Sequence, residues 1–226
     1  MVTLGDKPLV TGRHAVFGGT FNPVHNGHLQ TALELQRLLA VDSLGLMPSA
    51  RPPHRARPQA SDAQRLAMLE LAIASYPQLR LDCREFARSG LSYTVETLSE
   101  MRREQGDDVW LAFCAGMDSL LNLSSWHRWQ ALTDYAHLVI CARPGWSMSE
   151  LPDGELRDWL ATRLETDVKG LDGSVAGKVL VVELTPYDIS SSQIRQAIAT
   201  GESTRDWLLP SVTRYIQQHG LYLEAG

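Results

Sequence analysis

Apolar residues along this chain follow two rhythms that alternate from start to end. Short, nearly continuous apolar runs read as buried strands: His14–Phe17, Ser43–Met47, Val109–Ala115, His137–Ala142 and Lys178–Leu184. Val109–Ala115 is apolar at every position, as a central parallel strand covered on both faces requires. Leu79–Phe86 begins by alternating (Leu79, Leu81, Cys83) and also reads as strand. Between these runs the spacing changes to threes and fours. Leu29, Ala32, Leu33, Leu35, Leu38 and Leu39 predict an amphipathic helix from about Leu29 to Ala40, with Asn26 as its cap. Leu66, Leu69 and Ile73 predict a second helix, capped by Ser61. Tyr93–Glu104, Trp126–Tyr135, the set Leu156, Trp159, Leu160, Leu164, and Ser190–Ala199 continue the helical series, and Gly201 closes the last of these. A final helix starts near Pro210 and stops at Gly220, with Val212, Tyr215 and Ile216 facing inward. Strand and helix alternating in this way predict an α/β fold: a doubly wound, mostly parallel sheet with a C-terminal helical portion. Residues 1–12 read as a leader, residues 190–226 as helices packed on the same domain, and residues 1–226 as one domain.

Composition narrows the function classes. A net charge of −5 disfavours general nucleic-acid or membrane-surface binding, so an anionic ligand would have to be met by locally placed donors. Cys83, Cys114 and Cys141 are scattered in or beside apolar runs, like small buried hydrophobes and unlike a disulfide framework or zinc site. The first fourteen residues lack an apolar core, and no apolar run approaches the roughly 18 residues of a membrane helix. The expected location is cytoplasmic.

The candidate chemistry begins where the first strand meets the first helix, at Gly18-Gly19-Thr20-Phe21-Asn22-Pro23-Val24-His25-Asn26-Gly27-His28. This stretch matches neither the dinucleotide Gly-x-Gly-x-x-Gly nor the Walker loop. Paired glycines let a backbone approach a phosphate, Thr20 adds a hydroxyl, and a helix entrance presents free N–H groups to an anion. His25 and His28 share one side of that entrance. Taken alone, His-x-x-His is equally a capping turn with surface imidazoles or part of a metal site, but zinc lacks an obvious third ligand here. The strand–glycine–helix context favours phosphate.

A second entrance lies at Ile189-Ser190-Ser191-Ser192-Gln193-Ile194-Arg195. Ser190 and Gln193 have capping-box spacing. Side chains tilt toward the helix N-terminus, so the Arg195 guanidinium can lie back over the capped end. An anion site and a plain capped helix with a solvent-facing arginine both fit. Gly116-Met117-Asp118 ends the central strand, where a carboxylate either accepts ribose hydroxyls or caps a helix. Trp126 and His127, preceded by Ser124-Ser125, offer either ordinary packing or a face for a flat ring. Arg51-Pro52-Pro53-His54-Arg55-Ala56-Arg57 is either a solvated basic loop or a lid whose cations reach an anion. In a parallel sheet all these strand ends can converge on one edge.

Together these residues resemble the nucleotidyltransferases of the His-x-Gly-His type. Gly18 to Leu29 is similar to their first signature and Ile189 to Arg195 to their second. Pro52-Pro53-His54-Arg55, Ser92-Tyr93-Thr94-Val95-Glu96-Thr97-Leu98, Gly116-Met117-Asp118 and Ser125-Trp126 resemble, in order, the motifs of the bacterial nicotinate-mononucleotide adenylyltransferases. Three positions depart from that pattern: Asn22 replaces a usual Asp, His127 a common Tyr and Arg55 a common Lys. The resemblance implies a Rossmann-like nucleotidyltransferase fold and adenylyl transfer from ATP to nicotinate mononucleotide, giving deamido-NAD and pyrophosphate. It implies catalytic roles for His25, His28 and Arg195. It implies ATP contacts for Gly18, Gly19, Thr20, Phe21, Gly116, Asp118, Ile189, Ser190 and Ser191. It implies nicotinate-mononucleotide contacts for Thr94, Trp126, His127, His54 and Arg55, with Trp126 stacking on the pyridine and the Thr94 and His127 amides receiving its carboxylate. Mg²⁺ would enter on ATP and pyrophosphate oxygens, without a carboxylate cage. Two rivals are a sister enzyme acting on phosphopantetheine, which would leave Trp126 and Thr94 without a role, and a non-catalytic nucleotide-binding module.

Overall fold

The computed structural model describes residues 12–51, 58–88, 90–142, 145 and 147–224. The chain runs β1 (Arg13–Gly19), α1 (Asn26–Leu38), β2 (Leu44–Pro48), α2 (Asp62–Ile73), β3 (Leu79–Leu81), α3 (Arg84–Ala87), α4 (Thr94–Gln105) and β4 (Trp110–Gly116). It continues with α5 (Met117–Leu121), α6 (Leu132–Tyr135), β5 (His137–Ala142), α7 (Glu155–Ala161), β6 (Leu164–Glu165), β7 (Val179–Glu183), α8 (Ser191–Thr200) and α9 (Pro210–Gln218). The strands form a seven-stranded sheet in the order β3-β2-β1-β4-β5-β7-β6. The pairs β2/β3, β4/β5, β5/β7 and β6/β7 are parallel. This is the doubly wound α/β architecture that alternating strands and helices predict.

The chain falls into two compact units. The first is built chiefly from Tyr93–Leu184. Its core is the apolar β4 with β5 and β7: Trp110, Leu111, Ala112, Cys114, Leu138, Val139 and Val179 are buried. Each large side chain so buried contributes roughly 1.5–3 kcal/mol. Two polar groups are carried inside and satisfied there. The Trp110 indole N–H donates to the Leu171 carbonyl at 3.1 Å. The Arg102 guanidinium, near the end of α4, donates to the carbonyls of Gly106, Val109, Tyr135 and Val175. Those carbonyls border loops, where regular ladders leave acceptors unpaired.

The second unit comprises Val16–Arg37, Asp42–Ser92 and Thr185–Gly226. α1 buries Leu29, Ala32, Leu33 and Leu35, α2 buries Met68 and Leu69, and α9 buries Val212 and Ile216. Ser61 and Gln64 close the predicted capping box at the start of α2. One turn later Arg65 is fully buried, and its Nη1 donates to the carbonyls of Thr20 (2.9 Å) and Ser49 (2.8 Å). A core arginine thereby fixes the bend after β1.

Several sequence expectations need correction. Gly18 and Gly19 belong to β1, not to a turn, because the Gly19 carbonyl still accepts the Ser49 N–H at 2.9 Å. Asn26 does not cap α1: it is the first helical residue, and its side-chain amide donates to the Asp206 carbonyl. β3 stops at Leu81 because Asp82 accepts the Arg84 N–H and starts α3. No helix spans Trp126–Tyr135. Trp126 is extended and Arg128 is left-handed (φ 48°), so regular helix begins only at Leu132, after a 3₁₀ turn over Trp129–Ala131. Leu164 belongs to β6, paired with Val179, and not to α7.

Candidate active site

At the entrance of α1 the two histidines build the helix cap themselves. The His28 N–H donates to His25 Nδ1 (3.4 Å), and the His25 N–H donates to His28 Nδ1 (3.3 Å). This has the connectivity of a capping box, with imidazoles in place of the usual Ser and Glu. The rings stack at 3.7 Å between centroids, and Phe21 meets His28 edge-on at 4.9 Å. A nitrogen that accepts carries no proton, so each neutral ring holds its proton on Nε2. Two Nε2–H donors are therefore set in place by the backbone of the helix they begin. Burial pushes the His25 pKa down to about 4. Burial lowers that of His28 as well, and the neighbouring His25 lowers it further. Both rings are thus neutral donors at pH 7, at a helix end whose dipole favours anions.

The glycines of this stretch make room for rings. A Cβ on Gly19 would lie 2.8 Å from Phe21 Cζ. A Cβ on Gly27 would lie 3.1 Å from His25 Nδ1. Phe21 is left-handed (φ 48°) and fully buried, with its ring edge-on to Phe17.

α8 grips the loop between Phe21 and His25. Ser190 caps α8 through the predicted box with Gln193. Ser191 Oγ donates to the Pro23 carbonyl (2.9 Å). Arg195 Nη1 donates to the Asn22 carbonyl (2.9 Å), while Nη2 reaches back to Ser192 Oγ (3.3 Å). The guanidinium lies over the first turn of its own helix, as the tilt of helical side chains requires. Arg195 is therefore brought to the loop that carries His25. The Asn26 N–H donates to the Trp207 carbonyl, a third anchor on the same loop.

Ile189 directly precedes the Ser190 cap of α8 in this same unit, and the other unit holds Thr94, Gly116, Asp118, Trp126 and His127. Gly116 is the N-cap of α5 and Asp118 lies in its first turn, exposed. A Cβ on Gly116 would lie 2.8 Å from Asp118 Oδ1, so glycine is what lets that carboxylate fold back over the strand end. Thr94 is the first residue of α4, where a helix leaves its N–H without an intrahelical acceptor. The rings of Tyr93 and His127 are in contact at 4.6 Å, which joins the start of α4 to the segment following Trp126. Trp126 is half-buried, edge-on to Phe113 at 6.4 Å. His54 and Arg55 lie outside the described residues.

Sequence reasoning missed Tyr222, Asp206 and Trp207, each of which binds the Asn22–Asn26 loop from about 180 residues or more away. No local pattern marks them. Among the described residues there is no group of three or more His, Cys, Asp or Glu side chains able to hold a metal, and no helix long and apolar enough to cross a membrane.

A doubly wound sheet with two capped helix ends, imidazole donors and an arginine belongs to the class of nucleotide-handling transferases. The cytidylyltransferase-like family model matches residues 16–197. A Yersinia pestis protein named "probable nicotinate-nucleotide adenylyltransferase" is 44% identical over 209 residues, covering 92% of this chain and 94% of its own. A Cronobacter sakazakii protein of the same name is 44% identical over 211 residues, covering 93% and 96%. In three dimensions, the Plasmodium falciparum nicotinic acid mononucleotide adenylyltransferase complexed with NaAD matches with a TM-score of 0.69 at 16% identity, covering 93% of this chain and 97% of its own. That last likeness concerns the fold. The chain belongs to the cytidylyltransferase-like family and, within it, to the nicotinate-nucleotide adenylyltransferases.

Proposed function

We propose that this protein transfers the adenylyl group of ATP to nicotinate mononucleotide, forming nicotinate adenine dinucleotide and pyrophosphate. A phosphate oxygen of the mononucleotide forms a bond to the α-phosphorus as the bond to the bridging oxygen of pyrophosphate breaks. No protein nucleophile is needed, so catalysis is positioning plus charge stabilisation. The observation that carries this reading is the reciprocal histidine cap. It occupies both Nδ1 atoms and so leaves the two neutral Nε2–H groups as the donors available to a ligand, next to a loop gripped by Arg195. Donors held in place before the reaction cost no reorganisation as charge shifts onto the phosphates.

His25, His28 and Arg195 are assigned to the transferring and leaving phosphates, with Gly18, Gly19, Thr20, Phe21, Ser190 and Ser191 around them. Gly116, Asp118 and Ile189 are assigned to the adenosine. Trp126 is assigned to the pyridine face, and the Thr94 and His127 amides to its carboxylate. The same reading assigns His54 and Arg55 to the mononucleotide. It takes residues 1–226 as one nucleotidyltransferase domain, which the 209-residue match to the Yersinia relative supports. It also takes the protein as cytoplasmic, in keeping with three free cysteines. Mg²⁺ is assigned to ATP as part of the substrate, where it neutralises phosphate charge.

Purified protein with Mg²⁺, ATP and nicotinate mononucleotide should release pyrophosphate and form the dinucleotide. Release with phosphopantetheine alone would overturn the substrate, and release with neither acceptor would overturn the reaction. The amide mononucleotide, run in parallel, should be the poorer acceptor if the Thr94 and His127 amides receive a carboxylate.

A further inference from the structure

Asn22 stands where the resembling family usually has Asp, and its environment shows what it does in this chain. The side chain is buried. Its Oδ1 accepts the Tyr222 hydroxyl at 2.8 Å and the Ala60 N–H at 3.4 Å, while its own carbonyl accepts Arg195 Nη1 at 2.9 Å. One residue thus links the end of the chain to the arginine of α8. Tyr222 is 5% exposed, and its backbone is left-handed (φ 64°), a conformation that costs a non-glycine residue of order 1 kcal/mol or more. Burial raises the phenol pKa, so the hydroxyl stays protonated and acts as the donor that Asn22 Oδ1 needs. A strained tyrosine near the C-terminus, buried and bonded to one side chain of the loop before α1, is over-specified for packing alone.

We propose that Tyr222 is a positioning residue for Arg195. It holds Asn22 so that the Asn22 carbonyl anchors one guanidinium nitrogen and aims the rest of the group at a bound phosphate. The proposal rests on the adenylyl-transfer reading only for the identity of that phosphate. It requires that Tyr222 act through Arg195 and not through general stability.

Tyr222→Phe keeps the ring and removes one hydroxyl. Pyrophosphate affinity by calorimetry, and kcat and KM with ATP and nicotinate mononucleotide, are to be measured for the wild type, Tyr222→Phe, Arg195→Lys and the double variant. Tyr222→Phe should weaken pyrophosphate binding and lower kcat by about 3- to 10-fold, the range that one hydrogen bond supplies. The KM for nicotinate mononucleotide should change little, and Tm should stay within about 4 °C. In the Arg195→Lys background the same substitution should have almost no further effect, because the group it positions is gone. Equal losses in both backgrounds, or a fall in Tm with unchanged pyrophosphate affinity, would overturn the proposal. A wild type that binds pyrophosphate in this Tyr222- and Arg195-dependent way but makes no dinucleotide would sink the adenylyl-transfer reading while upholding the positioning role.

Discussion

His28 caps a helix and, in the proposed reaction, also serves as a phosphate donor; ordinary mutagenesis would confuse the two duties, and the capping geometry separates them. Its Nδ1 accepts the His25 N–H, which leaves the ring proton on Nε2 as the donor the proposed reaction uses. His28→Ala removes both. The lost cap costs about 1 kcal/mol. The lost contacts with the His25 and Phe21 rings cost about 1 kcal/mol more. A sum of about 2 kcal/mol lowers Tm by about 4–8 °C in a chain of this length. Turnover should fall on the order of 10²-fold or more, as loss of one transition-state donor does. His28→Gln discriminates between the two duties. Glutamine is the usual third-position partner in a capping box, and its side-chain oxygen can accept the same His25 N–H. It should recover about 2–4 °C of the lost Tm, the share belonging to the cap. It should recover little turnover, because its amide cannot place a donor where Nε2–H stood. Scanning calorimetry and a coupled pyrophosphate assay on the three proteins read both quantities. If His28→Gln restores turnover along with Tm, His28 is a capping residue and its place in catalysis is lost.

Three further outcomes follow from the same geometry. Gly27→Ala should fold well, since alanine favours a helix by about 1 kcal/mol over glycine. Its Cβ would nevertheless meet His25 Nδ1 at 3.1 Å and Cε1 at 3.2 Å, so kcat should drop by about 10-fold as the ring shifts; full activity would show that the ring's exact placement is immaterial. Acid should destabilise the protein in a defined window. His25 and His137 have folded pKa values lowered to about 4 from an ordinary 6.5. Their stabilising effect is complete above about pH 6.5 and is lost as pH falls toward 4. That is worth about 3 kcal/mol per imidazole by pH 4, and a Tm that stays flat from pH 7 to pH 4 would contradict it. Because the imidazoles of His25 and His28 are both neutral, the proposed reaction should show no rise in kcat/KM between pH 7.5 and about 5.5; a rise toward acid would mean that an imidazolium is the working form.

The strand–helix alternation, the apolar β4 and the boxes Ser61/Gln64 and Ser190/Gln193 were all legible in the sequence, because each depends on residues within a turn or two of one another. So was the backward lean of Arg195, which is set by helix geometry. What local pattern could not decide was the partner of each group. Gly18 and Gly19 looked like a turn because glycine often is one, yet a ladder bond from Ser49 keeps them in β1. Asn26 looked like a cap because asparagine often is one, yet Asp206 takes its amide and leaves the cap to His25. The bonds from Arg65 to Thr20, from Ser191 to Pro23 and from Tyr222 to Asn22 span 45, 168 and 200 residues. A hydrogen bond reaches about 3 Å whatever the separation along the chain, so only folding selects which distant donor arrives. The sequence by itself determined which side chains were available as candidate phosphate donors; the tertiary structure decided which nitrogen of each histidine the helix cap occupies and which carbonyl holds Arg195, because both depend on where distant backbone arrives.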